Sequence, residues 1–255
     1  MAEAEETTSG TEGLQSADVR SADDVRIHYV AFQPDVPEGL AVIVVPGFGE
    51  SGEEYAGLLR GLSPRPAAAV SVRGRGRSEA PVKGYRWEDH VGDVAAVVED
   101  LGWTKYAVVA FSRGSSYALG FALGRPEAVA ALVIGDYWAR HVGLPPTFVE
   151  PALQRTWRGR SMTERMPEHA VRAVQEESVE ISLWERLSWL SCPVLLLRPG
   201  RRPLLDDATV ARWADHVASL EVVELPEATH DLWETDPDGV LAALRGFLER
   251  AEQAH

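Results

Sequence analysis

Short apolar runs alternate with amphipathic stretches along most of this chain. The runs are rich in Val, Ile, Leu and Ala, and they lie at residues 25–32, 41–45, 68–72, 106–111, 130–134, 193–197 and 220–225. The amphipathic stretches lie at residues 55–62, 87–101, 115–123, 208–218 and 238–251. Because continuous apolar runs separated by helices are typical of strands buried on both faces, the pattern predicts a doubly wound α/β fold with a mostly parallel sheet.

The alternation is interrupted once, over residues 137–191. This segment has helical patterns near 147–158, 168–177 and 182–189 but no clear strand. An insertion of this length is too long for an ordinary loop. We therefore predict a helical cap, or lid, on a core formed by residues 23–136 and 192–255. Residues 1–22 are acidic and polar, and we predict a disordered tail there.

Charge and composition narrow the possible partners. The formal net charge of −14 would be repelled by phosphate backbones, so no nucleic-acid partner is expected. No apolar run approaches the roughly 18 to 20 residues of a membrane helix, so no membrane association is expected. Residues 1–13 lack the apolar segment of a secretory signal, and the single cysteine, Cys192, cannot form an internal disulfide. We expect a cytoplasmic protein with a small-molecule substrate; its oligomeric state stays open.

A serine between small residues follows the apolar run at 106–111. The segment reads Ala110-Phe111-Ser112-Arg113-Gly114 and leads directly into a helical stretch. A sharp strand-to-helix turn of this kind lifts one hydroxyl above the end of a strand, and it needs small residues two positions before and after the serine. The pattern predicts that Ser112 is a catalytic nucleophile. The alternative is an ordinary helix N-cap, a frequent role of serine.

Three further segments follow the motif order of a known family. They read VVPGFGES at residues 44–51, VRGRGRS at 72–78 with WEDHVGDV at 87–94, and ATHDL at 228–232. Together with the Ser112 turn, they resemble the α/β-hydrolase superfamily from about residue 25 to the C-terminus. The resemblance implies a mostly parallel central sheet flanked by helices, with a helical cap inserted after the sixth strand. It also implies a serine hydrolase.

The resemblance also implies roles for individual residues. His230 would be the general base that accepts the Ser112 proton. The backbone N–H groups of Phe48 and Arg113 would form the oxyanion hole. Pro46 stands where the family usually has histidine, and we expect this to change the shape of the loop without removing the donors.

The acid partner of His230 is open between two aspartates. In the family it usually follows the strand represented here by residues 193–197, where Arg202 and Pro203 stand instead. An alternative arrangement takes the acid from the end of the preceding strand, which favours Asp136. Asp206 is the main competitor, and Asp136 could instead cap the first helix of the lid.

One motif suggests a different chemistry. Residues 47–52 read GFGESG after a strand, which is a literal dinucleotide fingerprint. A nicotinamide enzyme is disfavoured because Pro46 interrupts the pattern and the Ser112 and His230 motifs would be unexplained. No spacing resembles a metal site, and a serine mechanism needs no cofactor, so none of either is predicted.

Tryptophans in the lid suggest the substrate. We predict that Trp138, Trp157 and Trp184 line an apolar or aromatic pocket, although such residues also fasten lids to their domains. The combined interpretation is a serine hydrolase with an acyl-enzyme on Ser112. Its substrate would be a small to medium apolar or aromatic ester, lactone or thioester, or a C–C bond beside a ketone. A cyclase, lyase or acyl transferase of secondary metabolism and a non-catalytic ligand-binding protein remain alternatives.

Overall fold

The computed structural model describes residues 13–253 of the chain. Its first half supplies six strands, which are β1 (Leu14–Arg20), β2 (Arg26–Phe32), β3 (Ala41–Val45), β4 (Ala67–Ser71), β5 (Tyr106–Phe111) and β6 (Val129–Gly135). A 3₁₀ turn (Gly52–Tyr55) precedes the first of three helices, which are α1 (Ala56–Gly61), α2 (Trp87–Asp100) and α3 (Gly114–Leu123).

The segment after β6 contains short elements only. Its strands are β7 (Arg140–His141), β8 (Thr156–Trp157), β9 (Arg160–Ser161) and β10 (Ile181–Ser182). Its helices are α4 (Val149–Leu153), α5 (Met162–Arg165) and α6 (Glu168–Glu176), with 3₁₀ turns at Pro146–Phe148 and Trp184–Trp189. The chain then returns to the sheet with β11 (Val194–Pro199), α7 (Asp207–His216), β12 (Leu220–Leu225), α8 (Leu232–Thr235) and α9 (Pro237–Gln253).

Eight strands form the central sheet in the order β1-β2-β4-β3-β5-β6-β11-β12. The β1–β2 and β2–β4 pairs are antiparallel, and the other neighbouring pairs are parallel. Strand β3 is buried along its whole length because helices cover both faces: Ile43 and Val45 pack into one apolar cluster, and Val42 and Val44 into another. The predicted α/β-hydrolase fold class, with a mostly parallel sheet, is confirmed.

The strand register brings one edge of the sheet together. Val45 pairs with Ala110, Phe111 pairs with Gly135, and Leu197 also pairs with Gly135. The carboxyl ends of β3, β5, β6 and β11 therefore lie side by side. Open α/β sheets bind their ligands at this edge.

The prediction of a disordered tail over residues 1–22 is wrong for its second part. Strand β1 pairs with β2 along its length, with Ala17 opposite Tyr29. Ala17 and Val19 pack against the core while the residues between and before them face solvent more, which is the alternation of a half-buried edge strand. The acidic composition hid this alternation. Residues 1–12 lie outside the described part of the chain.

The cap is less helical than predicted. Helix α6 occupies the stretch expected at 168–177, but the helix expected at 147–158 ends at Leu153. Strands β8 and β9 follow as an antiparallel ribbon closed by Arg158 and Gly159. Both closing residues have positive φ, 48° and 70°, which is the backbone of the two-residue hairpin turn whose twist matches its strands. This turn interrupts the helix.

Candidate active site

Ser112 lies in the sharp turn between β5 and α3. Its φ of 49° is a left-handed value that few non-glycine residues adopt, and its N–H donates to the carbonyl oxygen of Gly135 at 2.9 Å. The turn has room for no side chain at Gly114, where a Cβ would lie 2.5 Å from the carbonyl oxygen of Val45. The small residue therefore permits the close crossing of β3 and the helix start.

His230 reaches Ser112 from the loop between β12 and α8. Its Nε2 lies 2.8 Å from the Ser112 hydroxyl oxygen, and its Nδ1 lies 2.7 Å from Oδ2 of Asp136. The histidine side chain is 35% exposed whereas the Asp136 side chain is fully buried. A carboxylate on Nδ1 fixes the imidazole with its free Nε2 facing the serine.

Asp136 is positioned by two strands, β6 and β11, and by the segment that follows β11. It follows β6 directly with a φ of 45°, and its N–H donates to the carbonyl oxygen of Leu197 in β11 at 2.9 Å. The carboxylate also accepts the N–H groups of Leu204, at 2.9 and 3.1 Å, and of Leu205, at 3.1 Å. The segment after β11, where the family's acid was expected, therefore supplies donors to the acid that β6 carries.

Asp206 has a different role. It is the N-cap of α7, where its carboxylate accepts the N–H of Thr209 at 2.8 Å. This hydrogen bond lowers the pKa of its exposed carboxyl. Its described contacts are those of a helix cap, so the structure brings Asp136 and not Asp206 to His230.

The loop after β3 lies against the nucleophile. A Cβ on Gly47 would lie 3.1 Å from the Ser112 Cβ, so glycine allows this approach. Within the described residues, the backbone N–H groups of Phe48 and Arg113 donate to no other protein atom. Phe48 directly follows Gly47, and Arg113 directly follows Ser112. Two free N–H groups beside the nucleophile are what an oxyanion hole requires.

Comparisons with known proteins agree with the fold. A family model described as the α/β-hydrolase fold matches residues 41–161. RutD of Caulobacter vibrioides, whose name gives carbamate hydrolysis as its suggested activity, is 26% identical over 88% of this chain and 96% of its own length. The chain has the fold of the α/β-hydrolase superfamily. It is a hydrolase of that fold.

Two other similarities cover nearly the whole hydrolase. The N-formylmaleamate deformylase of Pseudomonas putida is 23% identical over 90% of this chain and 95% of its own length. The crystal structure of the enol-lactonase from Burkholderia xenovorans superposes with a TM-score of 0.77 at 17% identity, covering 91% of this chain and all of that one. The structural likeness concerns the fold.

A cavity of about 420 Å³ opens between the sheet edge and the cap of this hydrolase and contains Ser112 and His230 in its wall. Most of its lining is apolar or aromatic, with Phe48, Phe111, Trp138, Leu144, Phe148 and Trp157 among the contributors. Trp138 and Trp157, two of the tryptophans predicted to contact substrate, therefore face the cavity.

Trp184 was expected in the same cavity, and this prediction is wrong. The Trp184 ring is buried against Trp213 of α7 in an edge-to-face contact with ring centroids 5.6 Å apart. The Arg212 guanidinium covers it at 4.2 Å. Trp184 thus fastens the end of the cap to the core, which is the alternative use of a lid tryptophan.

Glu50 is a residue of the cavity that the sequence reading missed. Its buried carboxylate accepts the Gly47 N–H at 2.5 Å and the Tyr55 hydroxyl at 2.9 Å, and it pairs with Arg158 of the cap at 3.1 Å. Burial raises the pKa of Glu50, and Arg158 opposes this effect. The sequence signal that could have indicated its role is a single acid inside a glycine-rich loop after a buried strand, because a buried charge there needs a partner.

The Arg113 side chain extends from the Ser112 turn towards the base of the cap. Its guanidinium donates to the carbonyl oxygen of Val142 at 2.9 Å, to Ser178 Oγ at 2.7 Å and to Tyr117 Oη at 3.1 Å, and it lies 2.9 Å from His141 Nε2.

In residues 13–253 no group of three or more His, Cys, Asp or Glu could hold a metal ion. No helix in that range is long and apolar enough to cross a membrane.

Proposed function

We propose that this hydrolase cleaves small to medium esters, lactones or thioesters, or a C–C bond beside a ketone, through an acyl-enzyme on Ser112. The observation that carries the proposal is the continuous contact from Asp136 through His230 to Ser112, at 2.7 and 2.8 Å. A base at hydrogen-bonding distance from a hydroxyl, itself oriented by a buried carboxylate, is the arrangement that activates serine.

In the first half-reaction His230 Nε2 accepts the hydroxyl proton while Ser112 Oγ attacks the acyl carbonyl carbon. The N–H groups of Phe48 and Arg113 bind the oxyanion that forms. The bond to the leaving group then breaks, and His230 returns the proton to the departing oxygen or sulfur, or to the departing carbon where a C–C bond is cleaved. Asp136 keeps the other imidazole proton on Nδ1 and stabilises the imidazolium between these transfers.

Water completes the reaction. His230 accepts one of its protons while the oxygen attacks the acyl carbon, and the proton returns to Ser112 Oγ as the acid product leaves. A cavity of about 420 Å³ with aromatic walls suits an acyl group of small to medium size. We further propose that the protein acts in the cytoplasm, which the single cysteine supports.

A second candidate is hydrolysis of a C–N bond. The names of RutD and of the deformylase give a carbamate and an N-formyl amide as substrates of those proteins, and each matches this chain over almost its own full length. The same acyl transfer to Ser112 would serve, with His230 protonating a departing nitrogen. An N-formyl amide and a carbamate therefore belong in the first substrate panel beside para-nitrophenyl esters.

Covalent labelling tests the proposal. A fluorophosphonate should modify Ser112 in the wild-type protein, and mass spectrometry should find the adduct on that residue. Ser112→Ala should remain folded, take no label, and lose at least about 10⁴-fold in kcat, because removal of a triad serine removes the covalent route. Ser115→Ala is the matched control, since Ser115 is buried in the first turn of α3, directly after the Ser112 turn, and its hydroxyl forms no hydrogen bond to His230 or Asp136. An unlabelled Ser112, or a folded Ser112→Ala protein with normal turnover, contradicts the proposal.

A further inference from the structure

The arginines around the cavity fall into two groups. Arg158 and Arg165, both from the cap, pair with acids: Arg158 with Glu50 at 3.1 Å and Glu54 at 3.3 Å, and Arg165 with Glu54 at 2.8 Å. Buried or half-buried charges normally have such partners. No carboxylate among the described residues pairs with Arg113, Arg75 or Arg155.

Arg113 is a buried cation in the cavity wall with neutral partners only. Its side chain contacts Val142, Ser178, Tyr117 and His141, and the residue is 4% exposed. Burial together with the Arg113 charge lowers the pKa of His141 to about 3, so that ring is neutral near pH 7. Among the described residues, no carboxylate balances the charge of Arg113.

Arg75 adds a second unbalanced charge behind the cavity wall. Its guanidinium lies 5.6 Å from the centre of the Phe48 ring, which lines the cavity. It donates to the carbonyl oxygen of Arg73 and contacts His90, and its Nε and one Nη find no partner in the described part of the chain. The residue is 1% exposed, so solvent does not screen this charge effectively.

Arg155 is the cavity arginine that is free to contact a ligand. It follows α4 on the cap, lines the cavity and is exposed to solvent. Its guanidinium carbon lies 5.8 Å from the Trp157 ring centre, and within residues 13–253 no carboxylate pairs with it. A planar guanidinium of this kind binds a carboxylate through two parallel hydrogen bonds.

We propose that the acyl substrate carries a carboxylate, which Arg155 binds at the cavity wall and which the charges of Arg113 and Arg75 attract. This inference rests on the proposed function and narrows it. The apolar walls would hold the chain between the two ends of the substrate, the acyl carbon at Ser112 and the carboxylate at Arg155. The formal net charge of −14 gives an anion no general attraction to the protein, so binding would depend on the local charge at the cavity.

Two esters of matched length test the proposal. We would compare mono-para-nitrophenyl glutarate, which has a free carboxylate, with para-nitrophenyl pentanoate, which has none. The wild-type protein should hydrolyse the glutarate with a kcat/KM at least about tenfold higher. Arg155→Gln should lower kcat/KM for the glutarate by roughly 10- to 100-fold, mainly through KM, because one charge-assisted contact is lost. The pentanoate should change by less than about twofold.

Arg160→Gln is the matched control. Arg160 lies in β9 of the cap, close to Arg155 in the sequence, and is likewise exposed. Its guanidinium donates to the backbone oxygen of Glu164, and the residue does not line the cavity. Arg160→Gln should leave kcat/KM unchanged for both esters, and Arg155→Gln and Arg160→Gln should both melt at the wild-type temperature. Equal hydrolysis of the two esters by the wild type, or an equal loss of both in Arg155→Gln, overturns the inference while the proposed function stands. Hydrolysis of neither ester, with Ser112 unlabelled, overturns both.

Discussion

The sheet edge and the cap are held to the site by different kinds of contact. Ser112 and Asp136 are fixed by backbone hydrogen bonds, to the carbonyl oxygens of Gly135 and Leu197. The cap is fixed by side chains: Arg158 pairs with Glu50, and the Trp157 indole N–H donates to Asp231, the neighbour of His230, at 2.5 Å. Backbone contacts survive most substitutions, whereas side-chain contacts are lost one residue at a time. Substitutions at the edge should therefore stop the chemistry, and those in the cap should change substrate preference and stability.

The two candidate acids give the largest expected difference. Asp136→Asn should lower kcat by about 10⁴-fold, because an amide in place of the carboxylate favours the wrong imidazole tautomer. Asp206→Asn should leave kcat unchanged and the free energy of unfolding close to the wild-type value, because asparagine also caps helices. Steady-state hydrolysis of a para-nitrophenyl ester by both variants measures the difference in kcat, and urea denaturation measures the free energy of unfolding. Normal turnover by Asp136→Asn would remove that residue from the proposed mechanism.

The Arg158 pairing is the largest expected effect in the cap. Arg158 and Glu50 are 12% and 5% exposed, and their ion pair joins the cap to the loop after β3. Arg158→Gln should lower the free energy of unfolding by about 3 kcal/mol, because it leaves the Glu50 carboxylate buried without its cation. It should also raise KM more than it lowers kcat. Urea denaturation and ester kinetics measure the two effects.

Two further variants separate burial from charge. Arg172 pairs with Glu150 and Glu168 on the exposed side of the cap, where solvent screens the charges, so Arg172→Gln should leave the free energy of unfolding close to the wild-type value. The double variant Arg158→Gln with Glu50→Gln should recover part of the lost stability, because no buried charge is then left alone. Similar losses in Arg158→Gln and Arg172→Gln would mean that the buried pair does not hold the cap.

Local sequence patterns predicted the edge of the sheet better than the cap. The alternation of apolar runs and helices predicted the fold, and strand ends predicted that Ser112, His230 and Asp136 would lie near one another. Such predictions succeed because side chains at the carboxyl ends of neighbouring parallel strands must meet. The choice of Asp136 rested on its place at the end of β6, and it needed no knowledge of side-chain contacts.

The cap depends on contacts between distant residues that no local pattern contains. Glu50 pairs with Arg158, which is far away in the chain, and Trp184 packs on Trp213 of the core. The hairpin at Arg158 and Gly159 also contradicts the helical pattern before it, because one turn with positive φ outweighs the propensity of the preceding residues. We expect the cap to set the substrate preference, because cap residues form much of the cavity wall.

His141 lies where the two regions meet, and it should make their junction sensitive to acid. Its ring lies 2.9 Å from Arg113, the N-cap of α3, and 2.9 Å from Ser116 in α3. His141 itself lies in strand β7, which pairs with β10 in the cap. Its pKa is lowered to about 3 in the folded protein by burial and by Arg113, whereas the unfolded chain keeps a value near 6.5. The unfolded state therefore binds the proton first, and stability falls as the pH drops from about 6.5 towards 3.

At pH 5 this single group should cost about 2 kcal/mol relative to pH 7.5. His141→Gln cannot titrate, and its amide still offers one acceptor for Arg113 and one donor for Ser116. We expect the loss of unfolding free energy between pH 7.5 and pH 5 to be smaller in His141→Gln than in the wild type by about 2 kcal/mol. His90, whose pKa burial also lowers, is unchanged in both proteins and cancels in the comparison. Urea denaturation at the two pH values measures the difference, and parallel losses in the two proteins would show that the junction does not sense protons through His141.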